Sequence, residues 1–428
     1  MGYFGTEKEI IFDKPVLPEK KTDIETVKNR IKELDHMDVD QIRGHVIFYA
    51  TLAMGDSSIT EVSRFAYSTF MEKNMVMKEF APGLQRIEQE VKQMAREMIG
   101  LNNQTRVKLT EGGSESLFCS INSAYQWSKI HKKGIEKPEI VVPYTMHAAV
   151  SKWCHYTDFT LKRVPVRSDY RADVKAMEKA ITKNTIYIAG SAPCWPYGLY
   201  DPIEEIAELA VKNNIWMHVD ACLGGYQAPF IEKASGKKFP AWRIGQVPGV
   251  LSMSADIHKH GYAAKPLSSI FYRDKDILQY HVYNPSDWPD GKYSSESLLG
   301  SFPASSVASA WAVMNHLGVE GYLELAHRTL RVREKYINGI NAIKGLKAWD
   351  TDIGVLLFET EDMDTMAVLS GLIQERCYAI PCYQPMRIKI ALDPVSDAVV
   401  ENFLETLERV VKGVKAGTIT SEFLTRFM

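Results

Sequence analysis

The stretch Ser254-Ala-Asp-Ile-His258-Lys259-His-Gly-Tyr-Ala-Ala-Lys265 decides how the rest of this chain is interpreted. It follows an apolar run, Gly249-Val-Leu-Ser-Met253, which predicts a short buried strand. Lys259 therefore stands just past the end of a strand, beside a histidine. Ammonium groups avoid protein interiors unless they are paired or functional, because desolvation disfavours the charged form. A lysine amine held in such a place is a candidate nucleophile toward an aldehyde.

A carboxylate that fits an aldehyde cofactor lies upstream, in Ile215-Trp-Met-His-Val-Asp220-Ala-Cys-Leu-Gly-Gly225. This segment is typical of a strand that ends in an aspartate and is followed by small residues. Pyridoxal phosphate (PLP) needs a carboxylate against its pyridine nitrogen, because the protonated ring is the better electron sink. Asp220 is the candidate, and an aspartate that merely opens a turn is the alternative. Together with Lys259 downstream, it favours PLP held as a Schiff base.

A phosphate site is predicted in Val107-Lys-Leu-Thr110-Glu-Gly112-Gly113-Ser114-Glu115-Ser116. The pattern indicates a strand, a tight glycine turn and the start of a helix. Backbone amides at a helix N-terminus bind phosphate, and glycines let the backbone approach the anion closely. Ser114 adds a hydroxyl group. A plain turn is the alternative for these residues.

A histidine follows a further predicted strand, in Ile140-Val-Val-Pro-Tyr-Thr-Met-His147-Ala-Ala. The His147 ring would stack on the pyridine face of the cofactor, whereas a buried or helix-capping histidine is the alternative. Open α/β sheets bind ligands at the carboxyl ends of their strands. The candidate residues all fall at or just past such ends: Thr110, His147, Ser191, Asp220 and His258.

In combination, these motifs resemble those of the sphingosine-1-phosphate lyases, which are fold type I PLP enzymes related to the group II decarboxylases. The resemblance covers the chain from Pro82 to about Pro394 and the final helix. The matching segments are Gly112–Ser116, His147-Ala-Ala, Gly190-Ser-Ala-Pro-Cys-Trp-Pro-Tyr-Gly198, Val219–Gly225 and Ala255–Lys265.

The resemblance implies a role for each matched residue. Lys259 would carry the cofactor, Asp220 would contact the pyridine nitrogen, and His147 would stack on the ring. Lys265, which points to the lyase branch, would lie near the substrate and assist proton transfer or anion binding. By the same resemblance, the contacts to the cofactor phosphate fall to Gly113, Ser114 and His258.

Three departures from the lyase pattern affect the expected substrate. Asn74-Met-Val-Met77 stands where the lyases have Asn-Pro-Leu-His, and Gly300-Ser-Phe302-Pro-Ala304 replaces Gly-Ser-Arg-Pro-Gly. Arg43-Gly-His-Val-Ile47 replaces Ser-Gly-x-Val-Tyr, with Tyr49 as a possible substitute for the tyrosine. The loss of charge-assisted contacts to a buried phosphate is costly. A phosphorylated long-chain base is therefore not the expected substrate.

Composition indicates a globular enzyme and limits its partners. The 428 residues carry a net charge of −2 and are 45% hydrophobic and 24% charged, so neither nucleic acid nor an anionic membrane is an expected partner. Six cysteines at irregular spacing contain no CxxC pair, which is typical of reduced thiols in a cytoplasm. No apolar run approaches the roughly 18 residues of a membrane span, and the first residues lack a signal-peptide pattern. The chain is therefore expected to be a soluble, cytoplasmic form without the membrane anchor of the eukaryotic lyases.

Strand-like runs alternate with helical patterns at 107–110, 140–143, 186–189, 215–219, 251–254 and 268–272. This alternation predicts a mostly parallel central sheet with helices on both faces. Together with the resemblance, it indicates an α/β, PLP-dependent transferase-like fold of type I with a small C-terminal α/β domain. The expected division is an N-terminal arm (1–55), a large PLP-binding domain (56–300) and a small domain (301–428). The resemblance implies a homodimer.

Two reactions fit these parts, because PLP withdraws electrons from whichever Cα bond of an amine substrate lies perpendicular to its ring. An aligned Cα–Cβ bond with a β-hydroxyl leads to retro-aldol cleavage, and an aligned Cα–carboxylate bond leads to loss of carbon dioxide. The preferred hypothesis is a carbon–carbon lyase for an altered, unphosphorylated amino alcohol. The alternative is an amino-acid decarboxylase, which Arg387 would favour if it anchored a substrate carboxylate.

Two hypotheses from other classes are weaker. A non-catalytic binding homologue has no need to keep both Lys259 and Asp220. A metallohydrolase that uses His258-x-His260 lacks an obvious acidic third ligand, so no metal is predicted.

Overall fold

The computed structural model describes residues 17–37 and 57–422, apart from residues 19, 286, 290, 292, 378, 393, 395, 396 and 398. Most of the predicted N-terminal arm lies outside these residues, as do Arg43–Ile47 and Tyr49.

The secondary structure alternates between strands and helices through the first two thirds of the described chain. The helices are α1 (Ile24–Met37), α2 (Ser57–Thr69), α3 (Pro82–Ile99), α4 (Gly113–His131), α5 (Ala149–Thr157), α6 (Val174–Ala180), α7 (Ile203–Lys212), α8 (Ala228–Ser235), α9 (Lys275–Leu278), α10 (Ala304–Ala342), α11 (Thr365–Gln374) and α12 (Val400–Lys415), with a 3-10 helix at Met75–Phe80. The strands are β1 (Arg106–Thr110), β2 (Glu139–Pro143), β3 (Thr160–Val164), β4 (Thr185–Ser191), β5 (Trp216–Asp220), β6 (Val250–Ala255), β7 (Ser268–Tyr272), β8 (Leu346–Trp349), β9 (Val355–Thr360), β10 (Ile380–Tyr383) and β11 (Met386–Ala391).

The central sheet has seven strands in the order β1-β7-β6-β5-β4-β2-β3. Only β7 runs against its neighbours, β1 and β6, and the remaining pairs are parallel. The predicted mostly parallel sheet is therefore confirmed. The edge strand β3 was not predicted, because Lys162 and Arg163 interrupt its apolar pattern.

Each face of this sheet is covered by helices. Side chains of α3, α7 and α10 join one hydrophobic core, and those of α4 and α5 join a separate core on the other side. The central strands are buried on both faces: every residue of β4, β5 and β6 is buried. Continuous apolar runs rather than alternating ones are typical of such strands.

The C-terminal part forms its own antiparallel sheet, in the order β10-β11-β9-β8. It shares a core with α11 and α12. Helix α10 connects the two parts and bends at Gly318, whose φ of 53° and ψ of −170° are non-helical. The sequence of this region predicts two helices, at about 305–317 and 320–343, and the bend lies between them. The small α/β unit at the C-terminus is therefore confirmed.

Within residues 17–37 and 57–422, apart from the gaps given above, no helix is both long enough and apolar enough to span a membrane.

Candidate active site

The carboxyl ends of three neighbouring parallel strands bring polar side chains side by side. In the strand register, Ser191 of β4 is paired with Asp220 of β5, and Asp220 is paired with Ser254 of β6. Thr110 is the last residue of β1. The predicted positions at the strand ends are confirmed, because parallel strands joined by crossover helices all end at the same edge of a sheet.

A cavity of about 270 Å³ opens at this edge. It contains six of the seven predicted site residues, and Lys265 is the exception. Its lining residues are Glu111, Gly112, Gly113, Ser114, Leu117, His147, Pro193, Trp195, Asp220, Cys222, Leu223, Asp256, His258 and Lys259.

Lys259 forms an ion pair inside this cavity with a residue that the sequence analysis did not single out. Its Nζ lies 2.9 Å from Oδ2 of Asp256, which is only 3% exposed. Ser268 donates a 2.6 Å hydrogen bond to the other carboxylate oxygen. Burial alone would raise the pKa of Asp256, but Lys259, His258 and Ser268 together lower it below its ordinary value. A buried carboxylate thus holds the amine in place. The spacing of three residues between Asp256 and Lys259 was the available signal.

The start of α4 approaches the cavity wall more closely than a side chain would permit. A Cβ atom on Gly113 would lie 2.8 Å from Oδ1 of Asp256 and 2.8 Å from Sγ of Cys222. Gly112 precedes the helix with a φ of 126°, a conformation that favours glycine. The exposed Ser114 follows in the first turn. The first backbone amides of a helix have no partner within the helix, so this end of α4 is a suitable anion site.

His258 is held by the backbone next to this glycine turn. Its Nδ1 lies 2.6 Å from the carbonyl oxygen of Leu267, and its Nε2 lies 3.9 Å from Oδ2 of Asp256. Burial lowers the pKa of His258, against the opposing effect of Asp256. His260 bonds a different carbonyl, that of Leu223, at 2.9 Å. The two histidines are therefore fixed by separate backbone groups.

Asp220 is buried at the end of β5, where its Oδ1 accepts a 3.0 Å hydrogen bond from the backbone N–H of Cys222. This bond is an Asx-type contact that fixes the carboxylate at the start of the turn. Asp220 therefore opens a turn and also lines the cavity.

His147 lies on the loop after β2, and Arg163 of β3 fixes this loop. The guanidinium of Arg163 donates to the carbonyl oxygens of Tyr144 at 3.0 Å, Met146 at 2.8 Å and His147 at 3.4 Å. The His147 Nδ1 accepts a hydrogen bond from the backbone N–H of Ala149 at 3.1 Å. Burial lowers the pKa of His147, although Asp220 opposes the shift. The ring thus bonds the first backbone amide of α5 and also lines the cavity, so the helix-capping alternative is observed and stacking on the cofactor stays a prediction.

Lys265 lies outside the cavity of Lys259. It lines a separate and larger cavity of about 610 Å³, together with side chains of α2 that include Phe65 and Tyr67. Burial lowers the pKa of Lys265, and the charge of Lys259 adds to the effect. The two lysines therefore influence each other electrostatically, but they face different spaces.

Two of the three departures from the lyase pattern are neighbours in space. Asn74 forms an antiparallel bridge with Pro303, and the backbone N–H of Met75 donates to the carbonyl oxygen of Phe302 at 2.9 Å. Met75 and Phe302 are 5% and 8% exposed. Phe302 is thus a buried apolar side chain at the position where the lyase pattern has an arginine, whereas the side chain of Met77, which stands in place of the lyase histidine, lies outside what the structure describes.

Arg387 lies in the C-terminal sheet and does not line the cavity of Lys259. It forms an ion pair with Glu359, and its guanidinium lies 4.2 Å from the centroid of the Trp349 ring. The expectation that it anchors a substrate carboxylate has no support in this geometry. An arginine on an alternating strand is more often expected to face solvent, but the side chain of Arg387 is only 11% exposed.

These residues fit PLP by their donor set and their shape. Gly113 leaves open a space that a methyl group would fill, the start of α4 offers amides for a phosphate, Asp220 offers a carboxylate, and Lys259 offers an amine. The fold and this site define a PLP-dependent enzyme of fold type I.

Comparisons with known proteins show the family to which this chain belongs. The profile of the pyridoxal-dependent decarboxylase conserved domain matches residues 45–344. The chain belongs to the pyridoxal-dependent decarboxylase family, and its cofactor is PLP.

The chain is similar to sphingosine-1-phosphate lyase of Arabidopsis thaliana, with 36% identity over 363 residues. That match covers 83% of this chain but 66% of the Arabidopsis protein, so the chain spans just under two thirds of this relative. A probable L-tyrosine/L-aspartate decarboxylase of Methanothermobacter thermautotrophicus is 27% identical over 83% of this chain and 94% of its own length. Among solved structures, a sphingosine-1-phosphate lyase of Burkholderia pseudomallei superposes with a TM-score of 0.85 and 26% identity, over 96% of this chain and 95% of that one.

Proposed function

We propose that this protein is a PLP-dependent carbon–carbon lyase that cleaves an amino alcohol by a retro-aldol reaction. The observation that carries the proposal is the meeting of Lys259, Asp220 and Gly113 in one cavity, in a chain that is 36% identical to a sphingosine-1-phosphate lyase. When bound, PLP supplies an electron sink for the carbon–carbon bond that breaks.

We assign the following roles within this proposal. Lys259 attaches the cofactor through its amine, and Asp256 holds that amine in the cavity beforehand. Asp220 keeps the pyridine nitrogen protonated, and His147 stacks on the ring and moves protons. Lys265 acts on the substrate from the neighbouring cavity. The phosphate contacts fall to Gly113, Ser114 and His258.

The substrate in this proposal is an amino alcohol without a phosphate group. Its support is Phe302, which is buried at the position where the lyase pattern has an arginine and lies beside the segment Asn74–Met77, which lacks the lyase histidine. A buried phosphate without charge-assisted partners is strongly disfavoured.

The direct test is a product assay on the PLP-loaded protein with a panel of amino alcohols and amino acids. We expect aldehyde release from an unphosphorylated β-hydroxy amine, at a rate no lower than from its phosphorylated form. Carbon dioxide without aldehyde would defeat the lyase assignment. A strong preference for the phosphorylated compound would defeat the substrate assignment alone.

An amino-acid decarboxylase is the second candidate, and one observation favours it. The match to the Methanothermobacter decarboxylase covers 94% of that protein, whereas the match to the Arabidopsis lyase covers 66%. The decarboxylase is thus matched over nearly its whole length. Arg387 does not support this candidate, because Glu359 already binds its guanidinium.

We also propose a cytoplasmic homodimer, with domain boundaries near residues 55 and 300. Large apolar side chains are exposed on α2 and just after it, where Phe65 is 73% exposed and Phe80 is 82% exposed. All six cysteines are buried and unpaired, which suits a reducing compartment. Light scattering of the purified chain tests the dimer, and a monomer at micromolar concentration would contradict it.

A further inference from the structure

A lysine in the C-terminal sheet is more deeply buried than either lysine predicted from the sequence. Lys389 of β11 is 2% exposed. Its Nζ lies 3.9 Å from the centroid of the Trp195 ring and 3.4 Å from the Trp195 carbonyl oxygen. Among the residues that the structure describes, no aspartate or glutamate forms an ion pair with it. Burial lowers the pKa of Lys389 to about 8.

The neighbouring cation on the same strand shows what an ordinary arrangement looks like. Arg387 also lies over an aromatic ring, Trp349, but Glu359 pairs with its guanidinium. Among the described residues, the contacts of the Lys389 ammonium are the Trp195 ring and a long hydrogen bond to a carbonyl group. A buried ammonium without a carboxylate is unfavourable for folding, so an apolar side chain of similar size would be the more stable choice. Perturbed buried groups of this kind are typical of functional sites.

The ring below Lys389 belongs to the wall of the active-site cavity. Trp195 lines that cavity together with Pro193 and Leu223. Its segment is a short loop closed by two 2.9 Å backbone hydrogen bonds. The N–H of Cys194 donates to the carbonyl oxygen of Leu199, and the N–H of Gly198 donates to the carbonyl oxygen of Cys194. The Tyr197 hydroxyl donates to the carbonyl oxygen of Gln384, so the C-terminal hairpin contacts this loop at a second point.

We propose that Lys389 is a positioning residue: its ammonium fixes the indole of Trp195 as a wall of the cavity, and so controls how substrate packs there. The contact connects the C-terminal sheet to the active site. The part of this inference that concerns substrate rests on the proposed function, whereas the part that concerns the Trp195 ring does not.

The charge of Lys389 gives the contact a pH dependence. The ammonium is present below a pH of about 8 and is lost above it, so the hold on Trp195 weakens as pH rises. The titratable groups that face it are the thiols of Cys194 and Cys382, and burial raises the pKa of both. They stay neutral in this range. Tyr197, which lies near Cys382, also keeps its proton there, because burial raises its pKa.

The test compares Lys389→Met, which has a similar shape without charge, with Lys389→Arg, which keeps the charge. We expect Lys389→Met to raise KM about thirtyfold, the size of a desolvated cation–π contact, with kcat within about twofold and a higher melting temperature. Lys389→Arg should restore most of the KM. Arg387→Met is the matched control, since it removes the other cation–aromatic contacts of the strand, with Trp349 and Tyr170, and should leave KM unchanged.

A second readout does not require turnover. The emission of Trp195, obtained as the difference between wild type and Trp195→Phe, should change in Lys389→Met, and in wild type above a pH of about 8, but not in Lys389→Arg. Unchanged KM and unchanged emission in Lys389→Met would overturn the inference, as would a KM defect with a lower melting temperature that Lys389→Arg does not rescue. If Lys389→Met does not fold, the Trp195 emission of wild type and of Lys389→Arg is compared across pH. A change above a pH of about 8 in wild type alone supports the inference, and equal profiles overturn it. If no amine is turned over, the proposed function fails while the emission still decides the position of Trp195.

Discussion

The carboxyl edge of the large sheet and the face of the small C-terminal sheet that carries Arg387 and Lys389 differ in how well their functional side chains can be predicted from the sequence. At the large sheet, Asp220, His147 and Lys259 lie in one cavity, as the sequence predicts. At the small sheet, the sequence pointed to Arg387, but its neighbour Lys389 is the cation that contacts the cavity wall.

The difference has a topological cause. Parallel strands joined by crossover helices all end at one edge, so a residue just past a strand is placed there by connectivity alone. In an antiparallel sheet, a side chain's surroundings depend on which other element packs on that face. Arg387 and Lys389 share a face of β11. The folded structure is needed to show that Glu359 lies beside Arg387 and that Trp195 lies beside Lys389.

The largest expected effect concerns the amine on which the large-sheet site depends. Lys259→Ala removes the only proposed covalent attachment of the cofactor. We expect complete loss of the visible absorption band of bound PLP and of its reducibility by borohydride, and no measurable turnover.

Lys265→Ala is the matched control, because Lys265 faces the neighbouring cavity. This variant should keep the absorption band. A band that survives in Lys259→Ala and disappears in Lys265→Ala would reverse the assignment of the two lysines.

The fold and most of the site were thus predictable, since strand ends and glycine turns are local signals. Asp256 stands between Ser254 and Lys259 in the sequence, but its role cannot be predicted from that position. The role depends on the turn that brings its carboxylate to within 2.9 Å of the Lys259 amine. The separate cavity of Lys265 and the contact between Lys389 and Trp195 had no local signal. Both depend on packing between elements far apart in the chain.

A smaller effect is expected from Gly113→Ala, which tests the shape of the phosphate cradle. The added Cβ would lie 2.8 Å from Asp256 Oδ1 and from Cys222 Sγ, so the start of α4 must move. Overpacking of this kind costs about 1–3 kcal/mol. We expect the dissociation constant of PLP to rise about tenfold, which corresponds to ~1.4 kcal/mol.

Gly83→Ala is the control for this substitution, because no described residue beyond the adjoining helix backbone has an atom within 4 Å of a Cβ at that position in α3. It should leave PLP affinity unchanged and raise stability slightly, by about 0.4–1 kcal/mol. Equal PLP affinities for the two alanine variants would show that the close approach at Gly113 does not serve the cofactor.

The smallest functional effect is expected at the small sheet, from Arg387→Met. The substitution removes the ion pair with Glu359 and the contact with Trp349, but it touches no residue of the cavity. Because Glu359 is 32% exposed, water takes up most of the lost interaction, and we expect a loss of about 1 kcal/mol in the free energy of unfolding. Denaturant unfolding measures this loss, and the product assay should give the wild-type KM. If Arg387→Met raised the KM for amino acids but not for amino alcohols, Arg387 would bind the substrate carboxylate after all. That result would favour the decarboxylase reaction.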